Sequence, residues 1–188
     1  MGKVKYLSEI MKFFEKSPVV TITDIKLYLK QKSYSYLLLS NLVKQGRIKR
    51  LTKGYFTIYD DPVLSVFCFR PAYLGLQEAL SIHNLWEQET NVVVVTTKRV
   101  RIGVHKILGS NVLVHRINPK YLFGINFVKY SDFFVPVSDI EKTLIDFIYF
   151  KQPLTKEKIL EIKKEADKLK LKEYLKRYPK WVSEKILY

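Results

Sequence analysis

Between Arg47 and Tyr59 the chain reads RIKRLTKGYFTIY, and the position of that stretch limits the fold more than any other feature. Ile48 and Leu51, then Tyr55 or Phe56 and Ile58, flank a Thr52-Lys53-Gly54 turn, where Gly54 permits the positive φ that such a turn tends to require. The pattern predicts a two-stranded hairpin carrying Arg47, Lys49, Arg50 and Lys53.

Helical segments precede it. Val4, Leu7, Ile10, Met11 and Phe14 lie on one face of a first helix that should end near Ser17-Pro18, because the residue before a proline is pushed out of helical geometry. Val19–Ile22 is short and β-branched, which suggests an extended connection. Thr23 can cap a second helix, with Ile25, Leu29 and Tyr28 turned inward. Ser33 or Ser35 can cap a third, running through Leu38, Leu39, Leu42 and Val43 to a stop at Gly46. Three helices followed by a basic hairpin is the order of a winged helix-turn-helix, placed here at residues 1–60.

The charge distribution sharpens that reading. The net charge is +15, and residues 1–60 hold 12 Lys and Arg against 4 Asp and Glu. Residues 61–150 are close to neutral, with 9 against 8, and residues 151–188 are basic again, with 12 against 6. A basic segment attracts phosphate backbones and anionic membrane surfaces through the same field, so shape has to decide between them. Glu9 and Lys12 interrupt the only apolar stretch near the start, and no later one approaches the roughly 18 residues of a spanning helix. A soluble, cytoplasmic protein is expected, without a membrane partner. The single cysteine, Cys68, excludes an intramolecular disulfide and reads as a buried thiol.

After Asp60-Asp61-Pro62 the texture changes to alternating helix and strand, an α+β unit over 61–152. A helix is expected over 71–86, and strands over 91–97, 112–117, 125–129 and 133–137. A closing helix over 138–150 would take Ser138 as cap and Glu141 as its capping-box partner. Residues 153–188 read as a basic helical tail, solvated on one face, with Thr155 as cap and a break at Pro179. The fold class is therefore α+β: a winged helix-turn-helix, a small α+β domain and C-terminal helices.

In a helix-turn-helix the second helix enters the major groove and its outward side chains meet base edges. With Leu38, Leu39, Leu42 and Val43 inward, the third helix presents Tyr34, Ser35, Tyr36, Ser40, Asn41 and Lys44, while Arg47, Lys49, Arg50 and Lys53 of the hairpin reach phosphates. Catalytic signals are thin. His83, His105 and His115 fall in different elements, none with a companion at metal-ligand spacing. Asp139 and Glu141 do not share a helix face, and Asp146 sits inside the apolar run TLIDFI, where a satisfied structural group is the commoner reading. Lys98, Arg99 and Arg101 could bind phosphate, although a charged strand end is usually just solvated. No metal, cofactor or enzymatic activity is expected.

The segments LVKQGRIKRLTKGYFTIY, YLGLQEALSIHNLWEQ, VVVVTTKRVR, VLVHRINPKYLFG and VPVSDIEKTLIDFIYF, in this order, resemble the AbiEi family, the antitoxin and transcriptional-regulator component of type IV toxin-antitoxin (abortive-infection) systems. The resemblance covers about residues 4–151. It implies a winged helix-turn-helix that represses its own operon at repeated sites, and a second domain that counters a nucleotidyltransferase-like toxin. Ala79, Leu80 and His83 match one family helix and Thr143, Leu144 and Asp146 another, at positions that look architectural. The expectation is a homodimeric, sequence-specific DNA-binding repressor whose operator carries half-sites; a nucleic-acid-targeted nuclease and an RNA-binding protein are the rivals.

Overall fold

A computed structural model describes residues 2–187, and the side chains of residues 7–186. The expectation for Val4 concerns a side chain outside that range. Within the first helix, α1 (Gly2–Lys16), Ile10 and Phe14 stand one turn apart and are fully buried. The helix stops before Pro18, and β1 (Val20–Thr21) follows. Next come α2 (Ile22–Leu29), α3 (Lys32–Lys44) and the hairpin β2 (Lys49–Thr52) and β3 (Tyr55–Thr57), with β1 adding antiparallel to β3 in the order β1-β3-β2. Ile25, Leu39, Leu42, Ile48 and Phe56 complete the core of this part. Each such side chain removed from water contributes about 1.5–3 kcal/mol, which is what holds α3 and the hairpin in one body.

Two cap assignments change. Thr21, not Thr23, caps α2: its hydroxyl accepts from the Asp24 N–H at 3.2 Å while the Asp24 carboxylate accepts from the Thr21 N–H at 2.8 Å. Thr23 is one turn position too late because Ile22 already begins the helix. Likewise α3 starts at Lys32, with Gln31 as cap and no side-chain hydrogen bond, so neither Ser33 nor Ser35 caps it. Its other end matches the glycine stop. Gly46, at φ +69°, sends its N–H to the Val43 carbonyl, and the Arg47 N–H goes to Leu42, both at 3.0 Å.

By contact density the chain divides into two units: the segment through Cys68 with Lys106–Ser110, and Phe69–His105 with Asn111 onward. The expected boundary at 60/61 moves to Cys68. A 3-10 stretch, Pro62–Phe69, carries Val63, Leu64, Val66 and Phe67 into the interior, so the residues after Pro62 are packed rather than linking.

In the second unit the expected helix over 71–86 is split. β4 (Ala72–Leu74) comes first, and α4 (Leu76–Ile82) begins only after Gly75. Gly75 is extended and runs so close to β5 (Val92–Thr96) that a Cβ there would lie 2.9 Å from Val95 Cγ2. The remaining strands are β6 (Gly103–Ile107), β7 (Ser110–Arg116), β8 (Ile125–Tyr130) and β9 (Phe133–Ser138), in the sheet order β6-β7-β5-β4-β9-β8. β5 pairs parallel with β7, and β4 parallel with β9, while β4–β5 and β8–β9 are antiparallel. All five residues of β5 are buried, as a strand of continuous valines in a sheet interior should be. The α+β class holds.

One face of the sheet is covered by α4 and by α5 (Ile140–Tyr149), and then by α6 (Lys156–Glu165), α7 (Lys168–Leu175) and α8 (Lys180–Leu187). The basic tail is thus no appendage: Ile162, Leu171, Leu175, Val182 and Ile186 share a core with Val93, Leu80 and Phe147. Its lysines face water while short apolar stripes face inward, and a reading dominated by charge sees only the lysines. Asp139 caps α5, accepting from Lys142 N–H at 2.8 Å. Ser138 ends β9 instead, and its hydroxyl reaches the Leu74 carbonyl and Thr143.

The capping box gives a direct test of α2. Thr21→Ala should lower the unfolding free energy by about 1 kcal/mol, read as a shift of the urea midpoint at unchanged slope; an unmoved midpoint would contradict the cap assignment.

Candidate nucleic-acid interface

Helix α3 rests on Leu39 and Leu42, and the hairpin rests on Ile48 and Phe56, so the surface between them is set by a shared core. A cleft of about 660 Å³ opens there, lined on the helix side by Tyr36, Ser40, Val43 and Lys44 and on the hairpin side by Arg50, Lys53, Gly54 and Phe56, with Ile22 and Leu39 at its floor. No carboxylate lines it. Five of the sequence-derived positions, Tyr36, Ser40, Lys44, Arg50 and Lys53, therefore meet in one place.

The other five do not. Ser35 is fully buried, and its hydroxyl donates to the Gln31 carbonyl at 2.7 Å. It belongs to the inward face with Leu39 and Leu42, four and seven residues on, and cannot reach a groove. Tyr34 is half-buried, while Asn41 and Arg47 are exposed outside the cleft. Lys49 is half-exposed and paired with Asp60 at 2.6 Å, so part of its charge is already spoken for.

Lys26 was missed. From α2 its ammonium donates to the Tyr36 hydroxyl at 2.8 Å and stands 4.3 Å from the centre of the Tyr36 ring. The hydrogen bond and charge of Lys26, followed by the charges of Lys32 and Lys53, hold the Tyr36 phenol below its ordinary pKa. That phenol is exposed, so the shift reports a positive field over the outer face of α3 rather than a buried interaction. Two residues ten apart on successive helices share no periodicity, and only the α2–α3 angle brings them together.

Among the buried titratable groups, the second unit holds a closed cluster. Lys142 and Asp146, one turn apart on α5, form an ion pair with no exposed side-chain surface. The Tyr73 hydroxyl donates to Asp146 Oδ2 at 2.7 Å and accepts from Lys142 Nζ at 2.8 Å. The Tyr178 hydroxyl lies 3.4 Å from Asp146 Oδ1. The Lys142 ammonium also faces the rings of Tyr73, Tyr178 and Phe123 at 5.1, 5.7 and 5.8 Å. Burial pushes the Asp146 carboxyl up and the Lys142 ammonium down, each opposed by the other's charge. Every polar atom of the pair has a partner, and the cluster ties β4 to α5 and to the segment after α7.

A second set of carboxylates holds α7 on α5. Lys170 bridges Asp139 and Glu141, both at 3.0 Å, the Asp167 N–H donates to Glu141 at 2.7 Å, and the Tyr174 hydroxyl donates to Asp139 at 2.9 Å. Glu141 thus serves α7 rather than the expected capping box. Among the described residues, no three His, Cys, Asp or Glu side chains are grouped to hold a metal ion, and no helix is long and apolar enough to cross a membrane.

Two outcomes follow for this unit. Lys142→Met alone leaves a buried carboxylate unpaired and should cost about 3–5 kcal/mol, whereas Lys142→Met with Asp146→Leu should recover most of it; equal losses in urea unfolding would rule out the pair as described. His115 packs on Phe150 with Nε2 buried and unpartnered, and burial lowers its pKa from 6.5. The unfolded chain then takes up the proton first, so stability is full above pH 6.5 and declines as pH falls below it. His115→Phe should flatten that part of the stability–pH profile; an unchanged slope between neutral and mildly acidic pH would contradict the assignment.

No family model matches the sequence, and no curated protein matches it. Among solved structures, the fold is similar to that of the RV2827C protein from Mycobacterium tuberculosis, with a TM-score of 0.59 and 13% identity over 89% of this chain and 69% of that one. At that identity the likeness is one of fold alone.

Proposed function

We propose that the first unit is a winged helix-turn-helix that binds duplex DNA, with α3 as the recognition helix and β2–β3 as the wing. The observation that carries this reading is the cleft where Tyr36, Ser40 and Lys44 of α3 face Arg50 and Lys53 of the hairpin with no acidic residue among them. A helix offering small polar and aromatic groups beside a cationic hairpin suits both base edges and phosphates. The chain then acts as a sequence-specific regulator that represses its own operon. Two such subunits would read half-sites roughly one helical turn, about 34 Å, apart.

The resemblance to the AbiEi family extends the proposal to an antitoxin whose second unit meets a nucleotidyltransferase-like toxin. A binding role for that unit is supported over a nuclease because the Asp146 carboxylate is sealed between Lys142, Tyr73 and Tyr178 with no surface for a substrate. A soluble, cytoplasmic repressor is the setting this role requires.

Titration of the upstream region of the gene and of a scrambled duplex, at several salt concentrations, tests the DNA reading. Lys53→Ala should weaken both duplexes alike and flatten the plot of log affinity against log salt by about one unit, with Lys49→Ala smaller because Asp60 already holds that ammonium. Ser40→Ala should cost roughly 1–3 kcal/mol on the specific duplex only, and Ser35→Ala should leave both affinities unchanged. Wild-type protein that binds neither duplex contradicts the function, and a Ser35→Ala defect as large as that of Ser40→Ala contradicts the face assigned to α3.

A further inference from the structure

Strands β5 and β7 run parallel as neighbours, with Thr96 opposite Arg116, so both end on the same edge of the sheet. Just beyond their C-terminal ends lies an open cleft of about 700 Å³, lined by Thr97, Arg99, Arg116, Ile117, Asn118 and Pro119. In sheets with parallel strands, ligands tend to bind in crevices outside the carboxyl ends of the strands. The lining here is one-sided in its chemistry. Arg99 and Arg116 are exposed, and among the described residues neither pairs with a carboxylate. Asn118 uses its side-chain oxygen to accept from the Lys120 N–H at 3.1 Å, which leaves its NH2 group to donate. The Thr97 hydroxyl adds a fourth donor, and no acidic side chain lines the space. By contrast, two cations packed between α5 and α7 are matched to carboxylates: Lys142 to Asp146, and Lys170 to Asp139 and Glu141.

We propose that this cleft binds a phosphate group, with the Arg99 and Arg116 guanidinium groups as the charged donors and Thr97 and Asn118 as neutral ones. Guanidinium forks fit the oxygens of a phosphate in pairs, and two of them at one cleft select a dianion over a monovalent carboxylate. The same chemistry is offered by a free phosphate compound and by a nucleic-acid backbone. The inference stands apart from the DNA reading of the first unit, since none of these residues belongs to that unit.

The full-length protein is titrated calorimetrically at low salt with pyrophosphate and with ATP, and by anisotropy with a labelled duplex. Each titration is repeated with Arg99→Gln, Arg116→Gln and the double variant. Lys164→Gln with Lys172→Gln, both at exposed positions elsewhere, removes the same charge as the double variant. Thermal melts check folding, which exposed arginines should not disturb. Saturable binding of pyrophosphate or ATP that weakens about tenfold or more in each arginine variant, and not in the lysine pair, supports the site with a free phosphate compound as occupant. If the free compounds do not bind, but duplex affinity falls by a similar factor in the arginine variants alone, the occupant is a nucleic-acid backbone. Equal losses in the arginine and lysine pairs, or no response of any probe to the arginine variants, overturns the proposal.

Discussion

The two hydrogen bonds that close α3 on Gly46, from the Gly46 N–H to Val43 and from the Arg47 N–H to Leu42, fix the direction in which the chain leaves the helix. Everything in the first unit that faces the cleft depends on that turn. It drops Ile48 into the same core as Leu39 and Leu42, and β2 then brings Arg50 to the cleft beside the helix. A positive φ of 69° at Gly46 is costly for any residue with a Cβ, so the position of the hairpin cations rests on a backbone requirement rather than on contacts between the charges themselves. Lys44, Arg50 and Lys53 share the cleft with no carboxylate among the residues that line it.

The second unit uses charge in the opposite way. Its core contains a buried lysine, a buried aspartate and two tyrosines that satisfy one another, and a ring of carboxylates and Lys170 holds α7 against the start of α5. Such a cluster is weak as a source of net stability, because desolvation offsets most of the attraction. Among the described residues, Arg99 and Arg116, at the strand ends, are cations of this unit with no carboxylate partner.

The parts legible in the sequence were those with a period or a required backbone conformation: three helices, the glycine stop, the hairpin turn, the valine strand. Ser35 escapes apolar periodicity because it is polar, and its hydroxyl is buried with its proton donated to the carbonyl four residues back. The split of the 71–86 stretch was hidden because AYLGLQEAL carries helix formers, and the sheet pairing that overrides them comes from residues far along the chain. Lys26 was invisible for a similar reason, as was the inward face of the tail, whose apolar residues are diluted by lysines. Asp146 lies inside an apolar run, but the partners that satisfy it, Tyr73 and Tyr178, lie 73 and 32 residues away and carry no local signal.

Binding at the cleft of the first unit can be followed by mapping backbone amide shifts in full-length protein as duplex DNA from the upstream region is added. The largest changes should fall on Tyr36, Ser40, Lys44, Arg50 and Lys53, around the cleft between α3 and the hairpin, with the amides around Lys142 and Asp146 unmoved. Changes absent from that cleft, or concentrated on the buried face of α3 around Ser35, would contradict it.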